Sequence, residues 1–383
     1  MSVTIEEVLD LKELKKFIKF PFKLYKNDPH WIPPLNSDEM NILRKDKNPA
    51  FEHCEARYFL AYKDGTIVGR IAGIINHNAN DDWNEKKVRF GWFDFIDDLE
   101  VSRKLLKCVE DWGRERGMDT INGPWGFSDM DKEGLLTEGF DKMQSITTLY
   151  NYPYYKDHLE KHNYKKECEW LQYSIELGEI PEKIEEFDAI VKDKFELSVI
   201  QPKKAKEIRR RGKEIFEVLN NAYATVHEFT RLTKKQINHY INEYVPFLHK
   251  DLVCVVVDKA DKVIGFAITM PCLSEGFIKA KGKLFPFSFR HILKSIRTLD
   301  TIELYLIGVN PEYRNKGVNA LIFNHLHKNY QNHNVKLVVT NPQLENNYAV
   351  LRLFDHYENK KIYARRRCYF NHLSNQAKND LCQ

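Results

Sequence analysis

VNPEYRNKGVNAL, residues 309–321, joins the end of an apolar strand to the start of a helix through a cationic turn that carries glycine. Upstream, TIELYLIGV (Thr301–Val309) sets Ile302, Leu304 and Leu306 against Glu303, Tyr305, Ile307 and Val309, the period-2 alternation of a pleated segment with two distinct faces. Pro311 ends that strand. Downstream, Leu321, Ile322, Leu326 and Tyr330 share one side of a helix beginning near Ala320. Arg314, Asn315, Lys316, Gly317, Val318 and Asn319 therefore stand where a helix presents unpaired N–H groups and its positive dipole end, a place that favours a phosphate.

An internal repeat surrounds this turn. KDGTIVGRIAG (Lys63–Gly73) is similar to KADKVIGFAIT (Lys259–Thr269), each being two strands joined by an acidic turn, and Gly69 and Gly265 lie 196 positions apart. Asn151-Tyr152 and Asn347-Tyr348 repeat the offset of 196. Between these anchors the later copy carries extra residues over 272–300 and the earlier copy over 125–147, so equal offsets outside compensating insertions point to duplication of one α/β unit. The division this predicts is a first copy at 1–178, a charged connection at 179–194, a second copy at 195–370 and a polar tail at 371–383. The helix LKELKKFIKFPFKLYK is expected to break near Pro21, and NNYAVLRLFDHYE to form one helix.

Composition sets the class. A chain of 383 residues holds two or three domains at roughly 150 residues each, and 43% hydrophobic with 30% charged residues excludes a disordered polymer. No apolar run approaches the ~20 residues of a membrane span, and MSVTIEEVLDLKELKK lacks the apolar core of a signal peptide. Seven scattered cysteines with no Cys-x-x-Cys predict a reduced, cytoplasmic chain without a zinc site. Two basic clusters, residues 203–213 and 360–367, sit in a chain of net charge +4, and acids intersperse the first, which argues against nucleic acid and for a solvated helix face. Asp129-x-Asp131 lacks the remaining spacing of a calcium loop, so no metal is expected.

The basic turn resembles the coenzyme A loop of the GNAT acyltransferase superfamily, Gln/Arg-x-x-Gly-x-Gly/Ala, read here as Arg314-x-x-Gly317-x-Asn319 with asparagine in the last place. The element order of both copies is similar to a GNAT domain as well, so the resemblance implies an α/β chain of two tandem GNAT-like domains. It further implies acetyl-CoA or another acyl-CoA as cosubstrate, its pyrophosphate gripped along Val309 and Arg314–Asn319, with Asn341 and Asn347 in the same cofactor site. Glu303 would take the proton of an attacking amine, and Tyr305 would share its face about 7 Å away. Setting Asn347 on the family's Asn-x-x-Ala-x-x-Leu-Tyr puts Phe354 where the general acid belongs; a phenyl ring cannot protonate a thiolate, and Tyr357, one turn onward, is the substitute. At the matching place in the first copy stand Asp97, Asp98 and Glu100, which would repel a pyrophosphate, so one cofactor site per chain is expected.

The first copy offers a different feature. GPWGFSDMDKEGLLTEGFD (Gly123–Asp141) brings Trp125, Phe127, Asp129 and Asp131 together, and Tyr152 and Tyr154 follow closely, an aromatic and acidic set suited to an amine acceptor. The ordinary alternative is a glycine-rich connection packed by tyrosines. The expectation is an acyl-CoA-dependent N-acyltransferase acting on a small-molecule or amino-acid-like amine. Its rivals are a GNAT-fold binding or scaffold protein that has lost turnover, and a Fem-like transferase using aminoacyl-tRNA. Neither membrane nor nucleic acid is expected as a partner, and homo-oligomerisation is left open.

Overall fold

Two α/β units share one strand order, and the computed structural model describes residues 2–202 and 204–373 of them. The first unit takes the chain to Trp170, residues 281–284 and the chain from Ala364. Its elements run β1 (Thr4–Glu7), α1 (Leu11–Leu24), α2 (Asn36–Leu43), β2 (Cys54–Lys63), β3 (Thr66–Asn76), α3 (His77–Trp83), β4 (Lys87–Phe95), α4 (Leu99–Glu115), β5 (Thr120–Gly123), β6 (Leu135–Glu138), α5 (Tyr154–Lys161) and the first half of β7 (Lys165–Glu176). The second unit holds the rest of β7, then α6 (Glu182–Phe195), β8 (Ser198–Ile200), α7 (Ala205–Ala222), α8 (Lys234–Tyr244), β9 (Val253–Val257), β10 (Val263–Pro271), α9 (Ser274–Ala280), α10 (Phe289–Arg297), β11 (Thr301–Val309), α11 (Val318–Asn332), β12 (Leu337–Val339), β13 (Gln343–Leu344), α12 (Tyr348–Leu351) and the start of β14 (Lys360–His372).

The strand order in the first unit is β1-β2-β3-β4-β5, with Tyr369–His372 of β14 antiparallel on β5; β4 and β5 are parallel. In the second unit it is β8-β9-β10-β11-β12, with Ser174–Glu176 of β7 antiparallel on β12; β11 and β12 are parallel. The sixth place in each unit is thus filled from the other half of the sequence. A cut at residue 178 would give each copy its own last strand, and the contacts divide β7 and β14 instead. Residues 371 and 372 lie in β14, and Leu373 is buried, so these three are not part of a tail; residues 374–383 lie outside the described residues.

The repeated glycines have one job. A Cβ on Gly69 would lie 2.7 Å from Leu105 of α4, and one on Gly265 would lie 3.0 Å from Val318 of α11, so each glycine lets a helix press on the third strand of its unit. The second anchor is not used alike: the Asn151 amide is buried and bonded to both backbone groups of Leu136, whereas Asn347 starts α12 without a side-chain cap.

Three local expectations are corrected. Helix α1 runs through Pro21 to Leu24 because the carbonyl that Pro21 cannot reach, Phe17 O, accepts from Arg70 Nη1 at 3.0 Å. The stretch 179–194 is not a bare connection, since Glu182–Phe195 forms α6 and Val191 packs into the second core. The expected helix after Asn347 has one α-turn, Tyr348–Leu351, followed by a 3-10 turn at Arg352–Phe354. No helix among the described residues is long and apolar enough to cross a membrane.

Candidate active site

Strict alternation along β11 fails in its middle. The pairing with β10 skips from Ile268↔Leu306 to Thr269↔Leu304, a β-bulge at Tyr305. As a result Ile302, Leu304 and Ile307 enter the core together, and Leu306 leaves it, contrary to the two-face expectation. On the other side β11 pairs with β12 for three rungs only, Thr301↔Leu337, Ile302↔Val338 and Glu303↔Val339. From Leu304 onward the two strands separate, and β12 gives way to a chain that bonds toward β7: Thr340 N donates to Tyr173 O at 2.9 Å. Glu303 thus stands at the last rung, in the crotch of a fork. It is only 6% exposed, and the Cys272 thiol beside it is pushed up to about 12, by burial first and then by the Glu303 carboxylate.

The far arm of the fork carries polar groups that the protein leaves unsatisfied. Asn341 Oδ1 and both amide atoms of Gln343 are buried with no hydrogen-bond partner among the described residues. Buried polar atoms of this kind cost stability unless something else bonds them. Gln343 was not singled out from the sequence, where it is one amide in a polar turn.

Gly317 starts α11 with φ +78°, no side chain caps the helix, and Asn315 also holds positive φ, +61°. The Val318 and Asn319 amides of α11 are therefore available to an anion, while Ala320 N already donates to Gly317 O at 2.9 Å. The basic side chains are already engaged. Arg314 Nη2 donates to Ala222 O at 2.6 Å, at the C-terminal end of α7, and Lys316 Nζ sits 4.7 Å from the Tyr313 ring centroid and 5.8 Å from that of Phe195. A Cβ on Gly317 would come within 2.5 Å of Val191 on α6, so the glycine is required by helix packing. Val309 packs against the core, and Asn319 is half-buried on the first turn of α11.

Tyr357 does not stand free as an acid. Its ring stacks on His327 with centroids 6.0 Å apart and 9° between planes, and burial raises its pKa. Phe354 is a core residue at 2% exposure.

The first unit has the same fork, closed. Its parallel pairing also ends after three rungs, at Arg89↔Asn122. There the chain beyond β5 stays beside β4: Trp125 N donates to Phe90 O at 2.8 Å, and a Cβ on Gly91 would lie 2.3 Å from Trp125 O. The helix behind it is capped from within, for Asp98 Oδ1 accepts from Glu100 N at 2.9 Å and Asp98 Oδ2 pairs with Lys63 Nζ at 2.8 Å. That ion pair holds the Asp98 carboxyl below its usual range. Asp97 bonds His158 at 2.9 Å, and Glu100 pairs with Lys104.

The aromatic wall expected in this unit is core packing. Trp125 and Phe127 are each 1% exposed; the first lies edge-on to Trp170, and the second packs on Phe51 and Trp92. Asp131 folds back to accept from Ser128 N at 3.0 Å, and Asp129 lies half-buried in the same turn. Tyr152 and Tyr154 donate to Leu24 O and Phe95 O. The second basic cluster is also spoken for, with Arg365 paired to Glu138 and Glu169, Arg367 to Glu169, Lys360 to Asp355 and Lys361 to Glu176. In the first cluster Lys203 lies outside the described residues, and Arg211 pairs with Glu214 and Asp261.

No family model matches the sequence. Two curated relatives do: Protein YghO of Escherichia coli, 28% identical over 323 residues that cover 83% of this chain and 81% of the relative, and the bacterial ceramide synthase of Caulobacter vibrioides, 28% identical over 309 residues, 79% of each. Among solved structures, a tandem GNAT protein from the clavulanic acid biosynthesis pathway superposes over 97% of this chain and 99% of its own, with TM-score 0.54 at 10% identity. A GCN5-related N-acetyltransferase from Sphaerobacter thermophilus covers 97% and 96%, with TM-score 0.50 at 11% identity. Each superposes over 97% of this chain, and the protein has the tandem GNAT fold.

Proposed function

We propose that this protein moves an acyl group from acyl-coenzyme A to an amine, with its reaction centre in the second unit. The fork of β11 and β12 carries the reading, because it opens directly beyond a buried carboxylate and lies behind a helix whose N-terminal amides no side chain caps. The pyrophosphate would bond the backbone at Gly317–Asn319, and the pantetheine amides would bond Asn341 and Gln343, whose buried atoms the protein does not satisfy. Arg314 and Lys316 would hold the turn in shape.

In the transfer the amine nitrogen attacks the thioester carbon, the carbon–sulfur bond breaks, and coenzyme A leaves as a thiolate. Glu303 accepts the proton that the nitrogen sheds, a role that suits a buried carboxylate at the mouth of the fork. With Phe354 in the core and Tyr357 stacked on His327, the thiolate would take its proton from solvent. A ceramide is the amide of a long-chain amino alcohol, so the similarity to a bacterial ceramide synthase makes that class of amine the first acceptor to assay, ahead of amino acids and small polyamines.

The experiment is acyl transfer from a labelled acyl-CoA across that panel of amines, together with calorimetric titration by coenzyme A. One coenzyme A per chain and an amide product are expected. Tight binding of coenzyme A with no product from any amine would instead support a binding protein, the reading that Phe354 favours.

A further inference from the structure

Residues 285–297 of the second unit build a cationic, aromatic surface. Between residues 276 and 299 there is no Asp or Glu, while Lys279, Lys281, Lys283, Arg290, Lys294 and Arg297 supply six cations. Phe285 is 73% exposed, Phe287 67% and Leu293 45%, three large apolar side chains in nine residues. Helix α10 is firmly seated on its other side: Ile292 and Ser295 are buried, and a Cβ on Gly276 of α9 would lie 2.8 Å from Ser295 Oγ and 3.0 Å from Ile292 Cα. The exposed face is therefore a built feature of a packed helix, with Arg290, Leu293, Lys294 and Arg297 along it. Among the described residues, Lys279 has a carboxylate partner, Glu275, and the other five cations have none.

We propose that residues 285–297 dock this protein on the headgroup layer of a bilayer containing anionic phospholipid. Rings and a leucine rimmed by lysine and arginine match that layer: the apolar groups enter the acyl boundary and the cations meet lipid phosphates. A second copy of this face would bring the same positive charges together, and a nucleic acid would answer the cations while leaving Phe285, Phe287 and Leu293 in water. The inference stands apart from acyl transfer, since none of these residues lies on the fork.

The test is co-sedimentation of the full chain with vesicles of phosphatidylcholine containing phosphatidylglycerol, against pure phosphatidylcholine vesicles. Binding to the anionic vesicles is expected to exceed that to neutral ones by more than about tenfold and to fall as salt is raised. Lys294→Glu with Arg297→Glu should lower anionic-vesicle binding at least ~tenfold, and Phe285→Ser with Phe287→Ser should weaken it while leaving the melting temperature and acyl transfer to a water-soluble amine unchanged. Wild-type protein that stays in the supernatant with both vesicles overturns the proposal. So do variants that bind as the wild type does, or a face whose substitution changes only self-association.

Discussion

Arg70 Nη1 donates to Phe17 O at 3.0 Å, filling the acceptor that Pro21 leaves without its helical partner, while Arg70 Nε pairs with Asp94 at 2.7 Å. One buried guanidinium thus lets a proline sit inside α1 and neutralises a buried carboxylate. Arg70→Ala should cost about 3–5 kcal/mol, because it leaves the buried Asp94 carboxylate without its cation, with the Tyr25 hydroxyl still donating to it, and strands Phe17 O. Pro21→Ala restores an N–H for Phe17 O and should regain about 1 kcal/mol in the Arg70→Ala background, more than it gives the wild type. Urea unfolding of the four proteins checks this, and equal effects of Pro21→Ala in both backgrounds would refute the coupling.

Gly317 and Val191 give the second prediction. With a Cβ position 2.5 Å from Val191 Cγ2 and φ of +78°, Gly317→Ala should lower stability by about 1–3 kcal/mol from overpacking alone. Val191→Ala should return part of that loss by making room. Coenzyme A affinity of the double variant then reports on the anion site without the packing defect. If Gly317→Ala melts with the wild type, the contact is not what fixes the glycine.

Much of this was legible in the sequence and some was not, for identifiable reasons. The strand, cationic turn and helix around Gly317 showed in local pattern, and the duplication showed in the offset of Gly69 and Gly265, because both depend on near neighbours. The bulge at Tyr305 did not show, since one skipped rung leaves the alternation of apolar residues almost intact. Nor did the exchange of β7 and β14, which depends on pairings between distant halves. Trp125 looked like a ligand wall and proved to be part of the segment that closes the first fork, as its burial could be known only from the fold.

His162 sets a pH dependence. Burial first, then Arg103 and His158, lowers its pKa to about 4, against 6.5 for an unfolded chain. A depressed folded value means that the unfolded chain binds the proton more readily, so the stability that the neutral His162 contributes is present above pH 6.5 and is lost as pH falls through the window to about 4. His162→Gln should flatten that part of the stability curve measured by denaturant titration. An unchanged slope would show that other groups account for it.

Cys272 reports on its neighbour. Since the Glu303 carboxylate helps to hold the thiol up at about 12, Glu303→Gln should lower that pKa and speed alkylation of Cys272 by iodoacetamide at mildly alkaline pH, read by peptide mass spectrometry. Slower or equal labelling would mean that the two groups do not interact in solution.

The central claim is that Glu303, at the mouth of the fork, takes the amine's proton. The most direct measurement is steady-state acyl transfer by wild type and Glu303→Gln, with coenzyme A affinity determined on the same preparations. A fall in kcat of about 10²–10⁴ with unchanged coenzyme A affinity is predicted, because a carboxamide keeps the shape of the site and cannot accept the proton. Equal kcat in the two proteins would contradict the account.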